Sequence, residues 1–182
     1  MKVIGIVGMP ASGKGEVSKI AGDLGIPVVV MGDTIRKQVI EAGLSPTDAN
    51  LGAMSTELRS KFGMDAIAQL TIPLIKAESA PVVLVDGIRG DREVAAFREH
   101  FPDFTLVGIV SSFETRYARL VARGRSDDPL TTEELEIRDE RELGWGLGRA
   151  LEQADYTITN EGTLKEFTDE IRAILCDHGG GL

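Results

Sequence analysis

The chain has 182 residues, 42% of them hydrophobic and 27% charged, with a formal charge of -9 and a pI near 4.8. That size accommodates one domain around a single core, and so acidic a balance argues against a general nucleic-acid binder, which neutralises phosphates with a basic face. Cys176 is the one cysteine, excluding a disulfide framework and a cysteine zinc site; no apolar run approaches the ~20 residues that span a bilayer and no leader pattern precedes the first strand, so a cytoplasmic protein without a membrane partner is expected.

The first apolar run, KVIGIV at 2–7, ends in the glycine-rich stretch GMPASGKGE at 8–16. Gly8, Gly13 and Lys14 have the spacing G-x-x-x-x-G-K. They lie between a strand and an amphipathic helix whose stripe, Val17, Ile20, Ala21 and Leu24, stops at Gly25. Glycines there let backbone amides surround phosphate oxygens, the helix N-terminus adds partial positive charge, and Lys14 adds a full one. Gly8, Met9, Pro10, Ala11, Ser12, Gly13, Lys14, Gly15 and Glu16 are therefore the expected ATP-binding loop, with Lys14 as a catalytic cation. A glycine-rich turn beside a surface lysine is the plainer alternative.

The form G-x-P-x-x-G-K-G resembles the nucleoside monophosphate kinases, adenylate kinase in particular. There, glycine after the lysine is usual, and magnesium is held mostly by phosphate oxygens and water. Glu16 departs from that pattern, which usually has threonine. A carboxylate ~4 Å from a phosphate costs on the order of 4 kcal/mol at a surface-like dielectric. Glu16 is thus expected to turn outward or to face a metal, and it also suits the first turn of a helix in its own right.

The second run, PVVVM at 27–31, leads into Gly32-Asp33-Thr34-Ile35-Arg36. This is similar to the G-D-x-[LI]-R stretch of adenylate kinases, whose arginine clamps the phosphate of the bound monophosphate. The resemblance implies Gly32, Asp33 and Arg36 as acceptor-binding residues; alone, the stretch also reads as a helix start with Asp33 as N-cap. Residues 32–79 hold two or three helical segments before the next strand and are read as a helical acceptor-binding insertion. One helix start is marked at Ser45 with Pro46 and Asp48. A later stripe of Ile67, Leu70, Leu74 and Ile75 contains Pro73, which is expected to kink or shorten that helix.

The third run, VVLV at 82–85, ends in Asp86-Gly87-Ile88-Arg89. An acidic residue at the carboxyl end of a buried strand can hold magnesium directly or through water, which makes Asp86 the metal candidate and Mg2+ the expected cofactor. A simple Asp-Gly turn is the alternative. The run is similar to the D-G-F-P-R motif of adenylate kinases, with Ile88 for phenylalanine and the proline missing; this implies Gly87 and Arg89 at the acceptor, with Arg92 as a substitute.

After FTLVGIV at 104–110, the stretch RYARLVARGR at 116–125 puts Arg116, Arg119 and Arg123 on one helix face. A charge run of this kind also fits a solvated face. Its spacing, with Arg125-Ser126-Asp127-Asp128 following, resembles the lid of adenylate kinases. That implies a short lid over 123–131, Arg119 packed on the ATP adenine, and Arg123, Arg125 and Arg138 (or Arg141) as cations on the transferred group. Finally, DYTIT at 155–159 with Asn160-Glu161-Gly162 resembles the last strand and loop of dephospho-CoA kinases, implying Asn160 beside adenine. Thr163 with Glu166 reads as a capping box.

Near-continuously apolar strands alternating with helices predict an α/β fold, a three-layer α/β/α P-loop NTPase with a five-stranded parallel sheet. The chain as a whole resembles an archaeal adenylate-kinase-related and dephospho-CoA-kinase-like family. That resemblance implies transfer of the ATP γ-phosphoryl group to a nucleotide-type acceptor, with ATP and an AMP-like nucleotide as partners. Two alternatives stay open: a dephospho-CoA kinase with Asp33 as general base, and a nucleotide-binding regulatory ATPase without transfer.

Overall fold

The computed structural model describes residues 1–124 and 131–179, with side chains as far as Asp177. Strands β1 (Lys2–Gly8), β2 (Val28–Val30), β3 (Val82–Ile88), β4 (Phe104–Val110) and β5 (Tyr156–Thr159) form one sheet in the order β2-β3-β1-β4-β5, every pairing parallel. The runs lack polar alternation because both faces of the sheet are covered. On one face, Ile4, Ile6 and Val107 meet Val17 and Ile20 of α1 (Lys14–Asp23) and Phe167, Ile171 and Leu175 of α9 (Leu164–Gly179). On the other, Val3, Val7, Val83 and Val85 meet side chains of α2 (Met31–Glu41), α4 (Ala66–Ala77), α5 (Asp91–His100) and α8 (Leu147–Glu152). This is the three-layer arrangement expected from the sequence, and the loop after β1 opens at the centre of the sheet's carboxyl edge, where α/β sheets bind ligands.

Three helices, α2, α3 (Asp48–Phe62) and α4, lie between β2 and β3. Helix α2 begins directly at the end of β2 with Val30 as N-cap, so Asp33 sits in the first turn rather than at the cap. Helix α3 is capped by Thr47, whose Oγ1 accepts from the Asn50 amide at 3.3 Å; the start expected at Ser45 comes two residues later. Helix α4 runs through Pro73 to Ala77. Its buried arc is Ile67, Ala68, Thr71, Ile72 and Ile75, and Leu70 and Leu74 fall past the edge of that arc, 42% and 50% exposed. The expected stripe had merged two neighbouring faces. The capping box at α9 is present: Thr163 N donates to Glu166 Oε2 at 2.8 Å and Glu166 N to Thr163 Oγ1 at 3.2 Å.

Beyond β4 the chain forms α6 (Phe113–Arg123) and α7 (Thr132–Gly144). One irregularity in the sheet shapes the site. Ile6 pairs with Asp86 but Val7 pairs with Ile88, so Gly87 is bulged out at φ 98°, a conformation that favours glycine. The bulge carries the chain after Asp86 across the start of the loop, leaving Arg89 next to it. Among the described residues, no helix is long and apolar enough to cross a membrane.

Candidate functional site

Between β1 and α1 the backbone passes through Ala11 at φ 62° and Gly13 at φ 118°. Gly13 has neither conformational nor spatial freedom for a side chain: a Cβ there would lie 2.3 Å from Asn160 Nδ2. The loop is braced from outside. Ser12 O accepts from Asn160 Nδ2 at 2.9 Å and from Arg119 Nη1 at 3.3 Å, and Arg119 Nη2 donates to Asn160 O at 2.9 Å. Arg116 Nη1 donates to Pro10 O at 3.2 Å, and the same buried guanidinium makes two bonds to Asp139, at 2.9 and 2.6 Å, tying α6 to α7 and to the loop. Lys14 Nζ folds back to Gly8 O at 2.6 Å and Met9 O at 2.8 Å. Burial, and then the charge of Arg89, draw its pKa down to about 8 against the opposing pull of Glu142 and Asp86. Glu16 lies 3.5 Å from Lys19, directed along the helix surface.

Asp86, half-buried at the end of β3, accepts from Ser18 Oγ at 2.8 Å. Ser18 belongs to α1, one turn beyond Lys14, whose carbonyl it also faces at 3.3 Å. No three His, Cys, Asp or Glu side chains among the described residues gather as a ligand set. A magnesium ion here would take one carboxylate and draw its other ligands from phosphates and water, a coordination it commonly adopts. Asp86 fits that role: its Oδ2 is committed to Ser18, and it acts electrostatically on Lys14.

Beside the loop lies a cleft lined by Met31, Gly32, Ile35 and Arg36 of α2, by Asp48, Gly52 and Arg59 of α3, by Gly87 and Arg89 after the bulge, and by Arg138, Arg141, Glu142 and Trp145 at the end of α7. Five arginines face two carboxylates there, in a chain of net charge -9. One face of α7 supplies Arg138, Arg141 and Glu142, spaced three and four residues apart; the helix is fixed at its start by a capping box of Thr131 and Glu134. The guanidiniums are held by acids. Glu142 Oε1 pairs with Arg89 and accepts from Arg138 Nε at 3.2 Å. Asp48 lies 3.4 Å from Arg138 Nε and accepts from Arg141 Nη2 with both oxygens at 2.9 Å. Glu93 accepts from Arg59 Nη2 at 2.6 Å and from the Arg89 amide at 2.7 Å, while Arg59 stacks 4.2 Å from the centre of the Trp145 ring. Burial alone would push the Glu142 carboxyl up, but Arg89, Arg138 and Lys14 together outweigh it and hold it at about 2.

The family described as an AAA domain matches residues 7–136. A UPF0200 protein of Methanoculleus marisnigri is 74% identical over 180 residues, covering 99% of this chain and 98% of the relative. A UPF0200 protein of Methanosarcina mazei is 46% identical over 179 residues, covering 98% and 96%. The chain belongs to the UPF0200 family. Among solved structures, the UPF0200 chain superposes on a shikimate kinase from Acinetobacter baumannii in complex with shikimate, with TM-score 0.61, 20% identity and coverage of 97% and 94%. It also superposes on a gluconokinase from Sinorhizobium meliloti, with TM-score 0.60, 20% identity and coverage of 97% and 92%. At that identity the likeness is one of fold, and it establishes the P-loop kinase-type α/β architecture.

In this UPF0200 chain the residues singled out by sequence are only partly brought together. Gly32, Arg36, Gly87, Arg89 and Arg138 line one cleft beside the loop and Asp86. Arg119 and Asn160 brace the loop from below. Asp33 is outside the cleft lining, its side chain 73% exposed and 4.0 Å from Arg36. Arg92 is exposed on α5 and also outside the lining, so Arg89 rather than its substitute reaches the cleft. Arg123 is exposed at the last position of α6, and Arg125 lies outside the described residues, as does most of the expected lid. Sequence reasoning missed Ser18, Asp48, Arg59, Glu142 and Trp145. The spacing of Arg138, Arg141 and Glu142 was a readable helical signal; the meeting of Asp48 with α7 left none.

Proposed function

We propose that this protein is an ATP-dependent phosphotransferase that passes the γ-phosphoryl group to the phosphate of a nucleoside monophosphate, AMP first among them. The observation that carries this reading is the adjacency of two anion sites: Val7, which leads into the loop, pairs with Ile88, so that Arg89 of the cleft follows directly beside the start of the loop. Donor phosphates cradled by the amides of residues 8–15 would end where the acceptor cations begin. Phosphoryl transfer asks for little beyond positioning and neutralisation of charge on the transferred group. Lys14 serves the terminal phosphates, Arg36 and Arg141 the acceptor phosphate, and Arg89 and Arg138 the group in transit. Magnesium bound with the triphosphate would neutralise its β and γ oxygens, with Asp86 holding the ion directly or through water. Arg119, planar and pinned to Ser12 and Asn160, offers a surface to the adenine. The resemblance of the loop and of Gly32–Arg36 to adenylate kinase supports the same assignment.

A hydroxyl acceptor such as dephospho-CoA would need a general base. The two carboxylates of the cleft, Asp48 and Glu142, are both occupied by arginines, and at about 2 Glu142 is a poor base. Asp33 is exposed and outside the lining. A phosphate acceptor is already a nucleophile and needs none of them. The test is γ-labelled ATP with magnesium and AMP, CMP, UMP or dephospho-CoA in separate reactions. Label in a nucleoside diphosphate is expected, with AMP the best acceptor. Label in coenzyme A alone would establish the hydroxyl-acceptor alternative, and bound ATP with no labelled product would mark a regulatory nucleotide binder.

A further inference from the structure

Glu142 is an odd residue to find among cations meant for phosphate. Its side chain is 1% exposed, it lies two residues from the end of α7, and one oxygen serves two arginines while the other, Oε2, is buried without a hydrogen-bond partner. Arg89 follows the bulge that places Ile88 against Val7, so this pair stands at the mouth of the donor loop. Guanidiniums crowded in a half-buried cleft repel one another and cannot remain uncompensated. A carboxylate between them removes the repulsion, but it does so imperfectly: it has one charge and two oxygens, of which only one is used.

We infer that Arg89 and Arg138, at the edge of the donor loop, form a phosphoryl subsite that the protein fills with its own Glu142 until a phosphate displaces the carboxylate. The ligand class is a dianionic tetrahedral phosphoryl group. It brings two charges and three terminal oxygens to donors that Glu142 satisfies with one oxygen, so it competes favourably for the same guanidiniums. Glu142 lies in the last turn of α7, which also carries Arg141 and is followed at once by Trp145, the single tryptophan of the chain, so Trp145 is placed to report its withdrawal. With Glu142 in place the positive charge of the five lining arginines is partly offset, and its withdrawal turns one more unit of that charge toward the ligand.

This rests on the kinase reading for the path of the transferred group, but its test does not require transfer. Inorganic phosphate is titrated into the wild-type chain and into Glu142→Gln by calorimetry at fixed ionic strength, with Trp145 emission recorded in parallel. Glu142→Gln is expected to bind phosphate about tenfold tighter or more, because the internal competitor has lost its charge, and its emission should move less on saturation than that of the wild type. A carboxylate that merely props up the arginines predicts the opposite sign, so unchanged or weaker phosphate binding in a folded Glu142→Gln overturns the inference. Should that variant fail to fold, Glu142→Asp keeps the charge but withdraws it from the guanidiniums; phosphate binding tighter than wild type supports the subsite and equal or weaker binding overturns it. A chain that binds phosphate in this way yet transfers nothing would sink the kinase reading alone.

Discussion

The donor loop and the arginine cleft adjoin at the carboxyl edge of one sheet, yet they are built by different means. The loop is a backbone object: its shape is set by the left-handed turns at Ala11 and Gly13 and by carbonyls that accept from Lys14, Asn160 and Arg119. The cleft is a side-chain object: guanidiniums from α2, α3, the bulge and α7 are kept apart by Asp48, Glu93 and Glu142. A cradle of amides exists before any ligand arrives, whereas a nest of cations persists only while carboxylates balance it. The loop should therefore bind as a preformed site, and the cleft should bind by exchanging internal anions for external ones.

The largest expected effect falls on the loop. Lys14→Ala should lower the transfer rate about 10³-fold, as loss of a preorganised charge at a developing anion does, with an unchanged melting temperature or a higher one, since the buried ammonium is a cost to folding. An active Lys14→Ala would remove the loop from the mechanism. Next is the balance of charge in the cleft. The Glu142 carboxyl is held at about 2, below the 4.5 of an ordinary glutamate, so its contribution is complete above about pH 4.5 and is lost as the pH falls toward 2. Acid titration of stability should show a loss on the order of 3 kcal/mol from this group, and Glu142→Gln should flatten that part of the curve; an identical curve would mean that the cleft does not depend on its internal anion.

Arg36→Ala should raise the KM for AMP about 30-fold, the worth of a charge-assisted bond, and leave the KM for ATP within about threefold. Equal loss for both substrates would erase the division between the two regions. Lys14 gives a gentler probe. Its pKa of about 8 rises when a phosphate arrives, so ATP binding should take up a proton, and affinity should fall as the pH climbs above about 8, by at most about tenfold per unit. Calorimetry in buffers of different ionisation heat would read the proton directly; release instead of uptake would contradict the assignment. The smallest effect belongs to Glu16, directed toward Lys19 on the helix surface. Glu16→Thr should change neither stability by more than about 0.5 kcal/mol nor turnover by more than about twofold.

What the sequence disclosed follows the same division. Strands that are apolar on both faces, and a glycine pattern tied to backbone geometry, leave a local signature, so β1 to β5, the turn from Gly8 to Lys14 and the capping box of α9 were legible. Leu70 and Leu74 were misplaced because apolar residues bordering a buried arc look the same as those within it. The cleft was legible only where a motif ran along the chain, as at Gly32, Arg36 and Gly87–Arg89. Glu142 and Asp48 are 94 positions apart and meet through Arg138, and such a pairing is written in no local pattern. Ser18, one turn after Lys14, left no sequence signal of its own, and only the fold reveals it holding Asp86.

The central claim is that the two regions form a single reaction site in which donor and acceptor phosphates meet at Lys14 and Arg89. An analogue with two adenosines joined by a chain of five phosphates tests it most directly, by calorimetry in the presence of magnesium. The account predicts one analogue per chain, bound far more tightly than ATP and displacing both ATP and AMP. Binding no tighter than that of ATP, with AMP still able to bind alongside, would contradict it.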